Sequence, residues 1–116
     1  MAILLTTQAT IAASASLSNE ADLWPGTLVG IWMPAAWTAA SMTFQALSPD
    51  GSTWLELYTY AGAELTLTVA AGQFIAIDPT QWKGISSVKV RSGTSASPVN
   101  QTAQAIVTLI TRQLVA

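Results

Sequence analysis

The chain has 116 residues, with six acidic and four basic side chains, no cysteine and no histidine. That rules out a disulfide framework or cysteine-based metal site and the usual general base near neutral pH, and a net charge of −2 gives no cationic footprint for nucleic acid. A hydrophobic share of 51% beside a charged share of 9%, against roughly 25% charged in ordinary soluble domains, predicts a surface partly covered by neighbouring molecules.

Ala2-Ile3-Leu4-Leu5 opens the chain as an apolar run, and Ala13-Ser14-Ala15 has the small residues of a cleavage site. No Lys or Arg precedes the run, and it is too short for the apolar core of a secretory leader. Residues 1–7 are therefore expected to form an N-terminal arm. The arm either lengthens the first strand or adds to the sheet edge of a neighbouring subunit, where backbone hydrogen bonds would supply affinity. Residues 8–116 are expected to form one domain, because no linker divides them and the length suits one core. No stretch approaches the ~20 apolar residues of a membrane helix.

Short runs of β-branched and aromatic residues then recur between turn signals. They predict strands near 8–13, 27–33, 41–47, 53–60, 64–69, 73–77, 85–91 and 104–112. This spacing, with about eight strands, is the rhythm of an antiparallel sandwich or barrel. The segment Met42–Trp54 carries the clearest signal. Met42, Phe44 and Ala46 alternate with Thr43 and Gln45, the period of a half-buried strand, and Pro49-Asp50-Gly51 supplies turn chemistry. Leu65, Leu67 and Val69 alternate with Glu64, Thr66 and Thr68 in the same way. Asp78 through Gly84 reads as one helical turn, with Asp78 as cap, Pro79 first and Gly84 as the stop.

Two runs do not alternate. Leu28-Val29-Gly30-Ile31-Trp32-Met33 and Ala105-Ile106-Val107 with Leu109-Ile110 are apolar at successive positions. A strand apolar on both sides is buried on both sides, whereas a sandwich offers its strands only one core-facing side. The second side is expected to meet another subunit. The candidate interface is Ile3, Leu4, Leu5, Leu28, Val29, Ile31, Trp32, Met33, Val107 and Leu109. The polar stretch Ser92–Gln101 exceeds the usual hairpin length and is expected to be a functional tip or an ordered contact arm.

Groups able to do chemistry are sparse. Glu56 and Glu64 flank the turn Ala61-Gly62-Ala63 and are the one pair that could work as paired carboxylates on a glycosidic bond. With neither cleft nor raised pKa in view, they read as solvent-facing hairpin residues. Ser and Thr nucleophiles would need Lys83 or Lys89 as their base, and neither lies in a Ser–Lys motif. Asp50-Gly51-Ser52 has oxygen donors for a hard cation, but the turn accounts for them. No cofactor and no metal are expected. The aromatics offer more: Trp37, Trp54, Tyr58 and Tyr60 form a candidate ligand platform for stacking on sugars, with core or interface packing as the alternative.

The turn Ser48-Pro49-Asp50-Gly51-Ser52-Thr53-Trp54 resembles the Ser-x-Asp-Gly-x-x-Trp hairpin of discoidin-like and carbohydrate-binding jelly rolls. The wider pattern is similar to small virion proteins of tailed phages and prophages. It runs from Trp37 through Phe74-Ile75-Ala76-Ile77-Asp78-Pro79 to Val88-Lys89-Val90-Arg91-Ser92-Gly93-Thr94 and Pro98-Val99-Asn100-Gln101. The resemblance covers about residues 27–112 and implies an accessory structural protein of a particle, with no catalytic residues. The chain lacks the calcium ligands of the sugar-binding relatives.

The sequence reading is thus an all-β, antiparallel jelly-roll-type β-sandwich with a non-enzymatic role in a phage virion. It would act as a capsid decoration, cement or head-fibre protein, with a tail or neck structural component as one alternative. Expected partners are further copies of the chain and the major capsid protein or other virion proteins, in a particle assembled in the host cytoplasm. Neither nucleic acid nor membrane is expected. The other alternative is a carbohydrate-binding module attaching the particle to surface glycans.

Overall fold

The computed structural model describes residues 2–114, and within its two terminal strands the side chains of residues 4–113. Eight strands form: β1 (Ala2–Ile11), β2 (Ala21–Asp22), β3 (Thr27–Trp32), β4 (Met42–Leu47), β5 (Trp54–Glu56), β6 (Phe74–Ala76), β7 (Ser87–Ser92) and β8 (Ala105–Leu114). They build two four-stranded sheets, ordered β1-β8-β3-β6 and β2-β7-β4-β5. Every neighbouring pair is antiparallel.

The pairing rule is simple. β1 pairs with β8, β2 with β7, β3 with β6 and β4 with β5, so the first half of the chain meets the second half in reverse order. The β3–β8 and β4–β7 pairings then fold that long double ribbon into two facing sheets. This connectivity is the jelly roll, as expected from the sequence.

The core lies between the sheets. Ala9, Ile11, Leu28, Ile31, Val107 and Leu109 enter from one sheet, and Phe44, Met42, Val88 and Val90 from the other. Connections fill the ends. Leu65 and Ile77 are buried, and Trp82 packs edge-on against Phe44 with ring centroids 4.9 Å apart and planes at 87°.

Trp82 is placed there by the helical turn expected from the sequence, a 3₁₀ helix over Pro79–Trp82. Asp78 caps it, its carboxylate accepting from the Thr80 backbone N–H at 3.1 Å and the Thr80 hydroxyl at 2.7 Å. Those bonds hold the Asp78 carboxyl below its ordinary pKa. The turn ends on Lys83, one residue before Gly84.

Three expectations need correction. Residues 2–7 do not stand apart from residues 8–116: of the two outcomes expected for the arm the first is seen, since they lengthen β1 and pair in unbroken register with β8, from Ala2 opposite Leu114 to Ile11 opposite Ala105. The strand expected at 64–69 is absent, although its alternation is real, with Leu65 buried and Thr66 and Thr68 exposed. That segment makes only isolated bridges, Glu64 to Tyr58 and Leu67 to Met42, the second lying against the start of β4 with bonds of 2.9 and 3.0 Å in both directions.

The third correction concerns the apolar run in β3. A bulge shifts the register between Leu28 and Gly30. An extra residue in one strand reverses which side the following residues face. Leu28 and Ile31, three positions apart, therefore both reach the core. Leu28, Ile31, Met33, Val107 and Leu109, expected at a subunit interface, are all at most 1% exposed within their own chain.

Candidate functional site

The two outward faces of the sandwich are chemically opposite. The outer face of β2-β7-β4-β5 carries the charges. Arg91 on β7 lies opposite Thr43 on β4, and Gln45 on β4 lies between Lys89 and Glu56. The Arg91 guanidinium meets Glu56 with both of its terminal nitrogens, Nη1 to Oε2 at 2.6 Å and Nη2 to Oε1 at 2.7 Å. Gln45 Nε2 donates to Glu56 Oε1 at 3.0 Å.

Glu64 Oε2 stands 3.6 Å from Arg91 Nη1 and accepts from the Ser95 backbone N–H at 3.2 Å. The Arg91 side chain is only 8% exposed. The hydrogen bonds from Arg91, and then the one from Gln45, hold the Glu56 carboxyl below its usual range although burial pushes it up. Arg91 is pushed up by the same Glu56 bonds.

Arg91 is the partner that the two glutamates share. They come together as the sequence allowed, but around a shared cation rather than a cleft. A glycosidase acid needs a raised pKa, and Glu56 is shifted in the opposite direction. The pair is a clamp that ties β5 and the following turn to β7.

The candidate ligand platform is dispersed. The Trp37 ring is half-buried against the core, with its indole N–H donating to the Ala40 carbonyl at 3.3 Å. Trp54 lies under the Lys89 ammonium, 4.7 Å from the ring centroid, a cation–π contact. Tyr58 and Tyr60 are exposed around a separate hollow of about 190 Å³ beside Thr80 and Gln81. No single surface presents the four rings together.

The Asp50 turn forms as expected. Asp50 Oδ1 accepts from the Ser48 hydroxyl at 2.5 Å, the Ser52 hydroxyl at 2.8 Å and the Ser52 N–H at 3.0 Å. These bonds lower the Asp50 pKa. The 92–101 stretch is an ordered connection: Gln101 is buried and grips Thr38, accepting from its N–H at 2.7 Å and donating to its carbonyl at 3.1 Å.

The outer face of β1-β8-β3-β6 is the opposite surface. Register places Gln8, Thr108, Trp32 and Phe74 in one row across the four strands, with Thr6, Ile110, Gly30 and Ala76 in the next. The Phe74 ring lies over Gly30, where an added Cβ would come within 3.1 Å of the ring carbons. Leu4 is 66% exposed, Trp32 59%, Phe74 67% and Ile106 41%.

Among the described residues on this face, Arg112 alone is charged. Beside Trp32, an open hollow of about 340 Å³ is lined by Met33, Pro34, Ala35, Gly72 and Ile106. The polar Gln8 and Thr108 share this hollow with the exposed Trp32 and Ile106.

Of the expected interface residues, Leu4 and Trp32 are exposed here, Leu5 and Val29 are half-buried, and the side chain of Ile3 lies outside the described residues. Phe74 and Ile106 were not among them. Their signal was the two-residue period of β6 and β8, which assigns a face only once the pairing of Phe74 to Trp32 and of Ile106 to Thr10 is known.

The fold is similar to the crystal structure of the SPBc2 prophage-derived protein YomS, with a TM-score of 0.58 and 18% sequence identity over 96% of each chain. At that identity the likeness speaks for the fold. No protein-family model matches the chain, and no curated protein matches it. Among the described residues no helix is long and apolar enough to cross a membrane.

Proposed function

We propose that this chain is a non-enzymatic structural protein of a phage or prophage particle, seated on the capsid as a decoration, cement or head-fibre protein. The observation that carries the reading is the outer face of β1-β8-β3-β6, which exposes Leu4, Trp32, Phe74 and Ile106 with hardly a charge among them. The origin of its structural neighbour in a prophage supports a particle as the setting. The occupation of Glu56 and Glu64 by Arg91 supports a role without catalysis.

Burial of apolar area against the shell, at about 25 cal/mol per Å², would be offset in part by the cost of association. Repetition over a lattice would turn individually weak contacts into firm attachment.

Co-sedimentation with emptied capsids, built from the major capsid protein encoded in the same phage or prophage genome, tests the reading. Wild-type protein should pellet with the shells. Trp32→Ala and Phe74→Ala should each weaken binding about 30-fold, the effect of losing ~2 kcal/mol at an interface anchor, with the near-UV circular dichroism of the fold retained. Wild-type protein that stays in the supernatant at every shell concentration would overturn it.

A further inference from the structure

The four edges of the two sheets are unequal. β2 has two residues, and β5 and β6 have three each, too short to template a foreign strand. β1 has ten. It pairs with β8 without a bulge, and its sequence from Ala2 to Ile11 holds neither charge nor proline. Charges, prolines and bulges are the devices by which monomeric proteins blunt such an edge.

One end of the β1 edge is covered. Asn19 Oδ1 accepts from the Thr10 N–H at 2.8 Å, and the Asn19 N–H donates to the Thr10 carbonyl at 3.3 Å. Those bonds also fix which backbone groups face away from β8. In an antiparallel edge strand, alternate residues turn both N–H and C=O outward. Since Thr10 does so, Gln8, Thr6 and Leu4 do as well. All three are exposed, and no described residue bonds their outward groups.

We propose that this open edge docks β1 of a second copy of the chain, antiparallel, across a two-fold axis at Thr6. An isologous contact requires a self-complementary surface. Centring the axis on Thr6 sets Thr6 against Thr6, and Leu4 against Gln8 of the second copy, so these three residues are all paired. The uncharged edge brings no like charges face to face, which would otherwise oppose cross-strand pairing. The partner strand must be as long and as open as β1, and among the described strands only β1 itself qualifies. The product is one continuous sheet of both copies, β6-β3-β8-β1 followed by the same four strands in reverse. It joins the two apolar outer faces into a single surface. The proposal does not rest on the virion reading, since purified protein alone tests it.

Sedimentation equilibrium of the purified chain should show a reversible dimer. Thr6→Pro removes one outward N–H and leaves the inward ladder to β8 in place. It should weaken the dimer about 30-fold, because the axis counts each loss twice, with native near-UV circular dichroism. Thr6→Cys puts a single thiol into a cysteine-free chain. Hydrogen-bonded antiparallel partners sit about 5.5 Å apart at Cα, within disulfide reach, so mild oxidation should convert this variant to a covalent dimer while Ala96→Cys, on the loop after β7, stays monomeric.

Three results would each overturn the proposal: a wild-type monomer at all concentrations, a folded Thr6→Pro protein that dimerises as tightly as wild type, or Thr6→Cys cross-linking no better than Ala96→Cys. If Thr6→Pro loses the native spectrum, the cysteine pair decides.

Discussion

Replacing Arg91 with alanine removes the cation from between two partly buried carboxylates. Glu56 loses two short bonds, at 2.6 and 2.7 Å, and Glu64 loses the charge 3.6 Å away. Breaking a buried ion pair costs about 3–5 kcal/mol. The Glu56 side chain keeps 32% exposure, so water compensates in part and the lower end, about 3 kcal/mol, applies. For a domain of this size that is a fall of roughly 12 °C in Tm, at about 4 °C per kcal/mol.

The deficit must depend on pH. The folded-state pKa of Glu56 is depressed, so its contribution is fully present above the unfolded value of about 4.3. It is lost as pH falls through the depressed folded value. Wild type should therefore lose stability in acid. Arg91→Ala should lose less, since protonation relieves the repulsion the substitution created, and the gap between the two should narrow below pH ~4. Urea unfolding at pH 7 and at stepwise lower pH measures both. Adding Glu56→Gln to Arg91→Ala should recover at least about 1 kcal/mol, the coupling expected of groups in direct contact. A cost under about 1 kcal/mol at pH 7, or a gap that stays constant into acid, would refute the clamp.

Trp82→Ala should cost about 3–5 kcal/mol, from the cavity and the lost contact with Phe44. Trp82→Phe should cost much less, because the buried indole N–H has no hydrogen-bond partner to lose; chemical denaturation compares the two. Gly93→Ala should be severe, about 3 kcal/mol or more, since Gly93 has φ 88° and an added Cβ would fall 2.5 Å from the Ser97 carbonyl oxygen. Gly51→Ala shares the left-handed backbone, with φ 76°, but meets open space, so about 1 kcal/mol is expected. Equal losses at the two glycines would show that strain alone, without the collision, sets the cost.

What the residues determined by themselves was local. The Asp50 turn, the Asp78-capped helical turn and the alternation of Met42–Ala46 rest on bonds and periods spanning a few positions, so they could be read in order along the chain. The sandwich was legible because short, regularly spaced runs admit few ways of burying one side each, although the run at 64–69 forms no strand and β2 (Ala21–Asp22) was not among those expected; the jelly roll was implied by the resemblance. Tertiary structure decided the rest, because it depends on register. The bulge after Leu28 sent an apolar run into its own core that looked as if it needed a neighbour. Pairing between strands far apart in sequence brought Arg91 to Glu56 and Phe74 beside Trp32, and left β1 with an open edge. A single residue of slip exchanges the two sides of a strand, and no local pattern records where that slip falls.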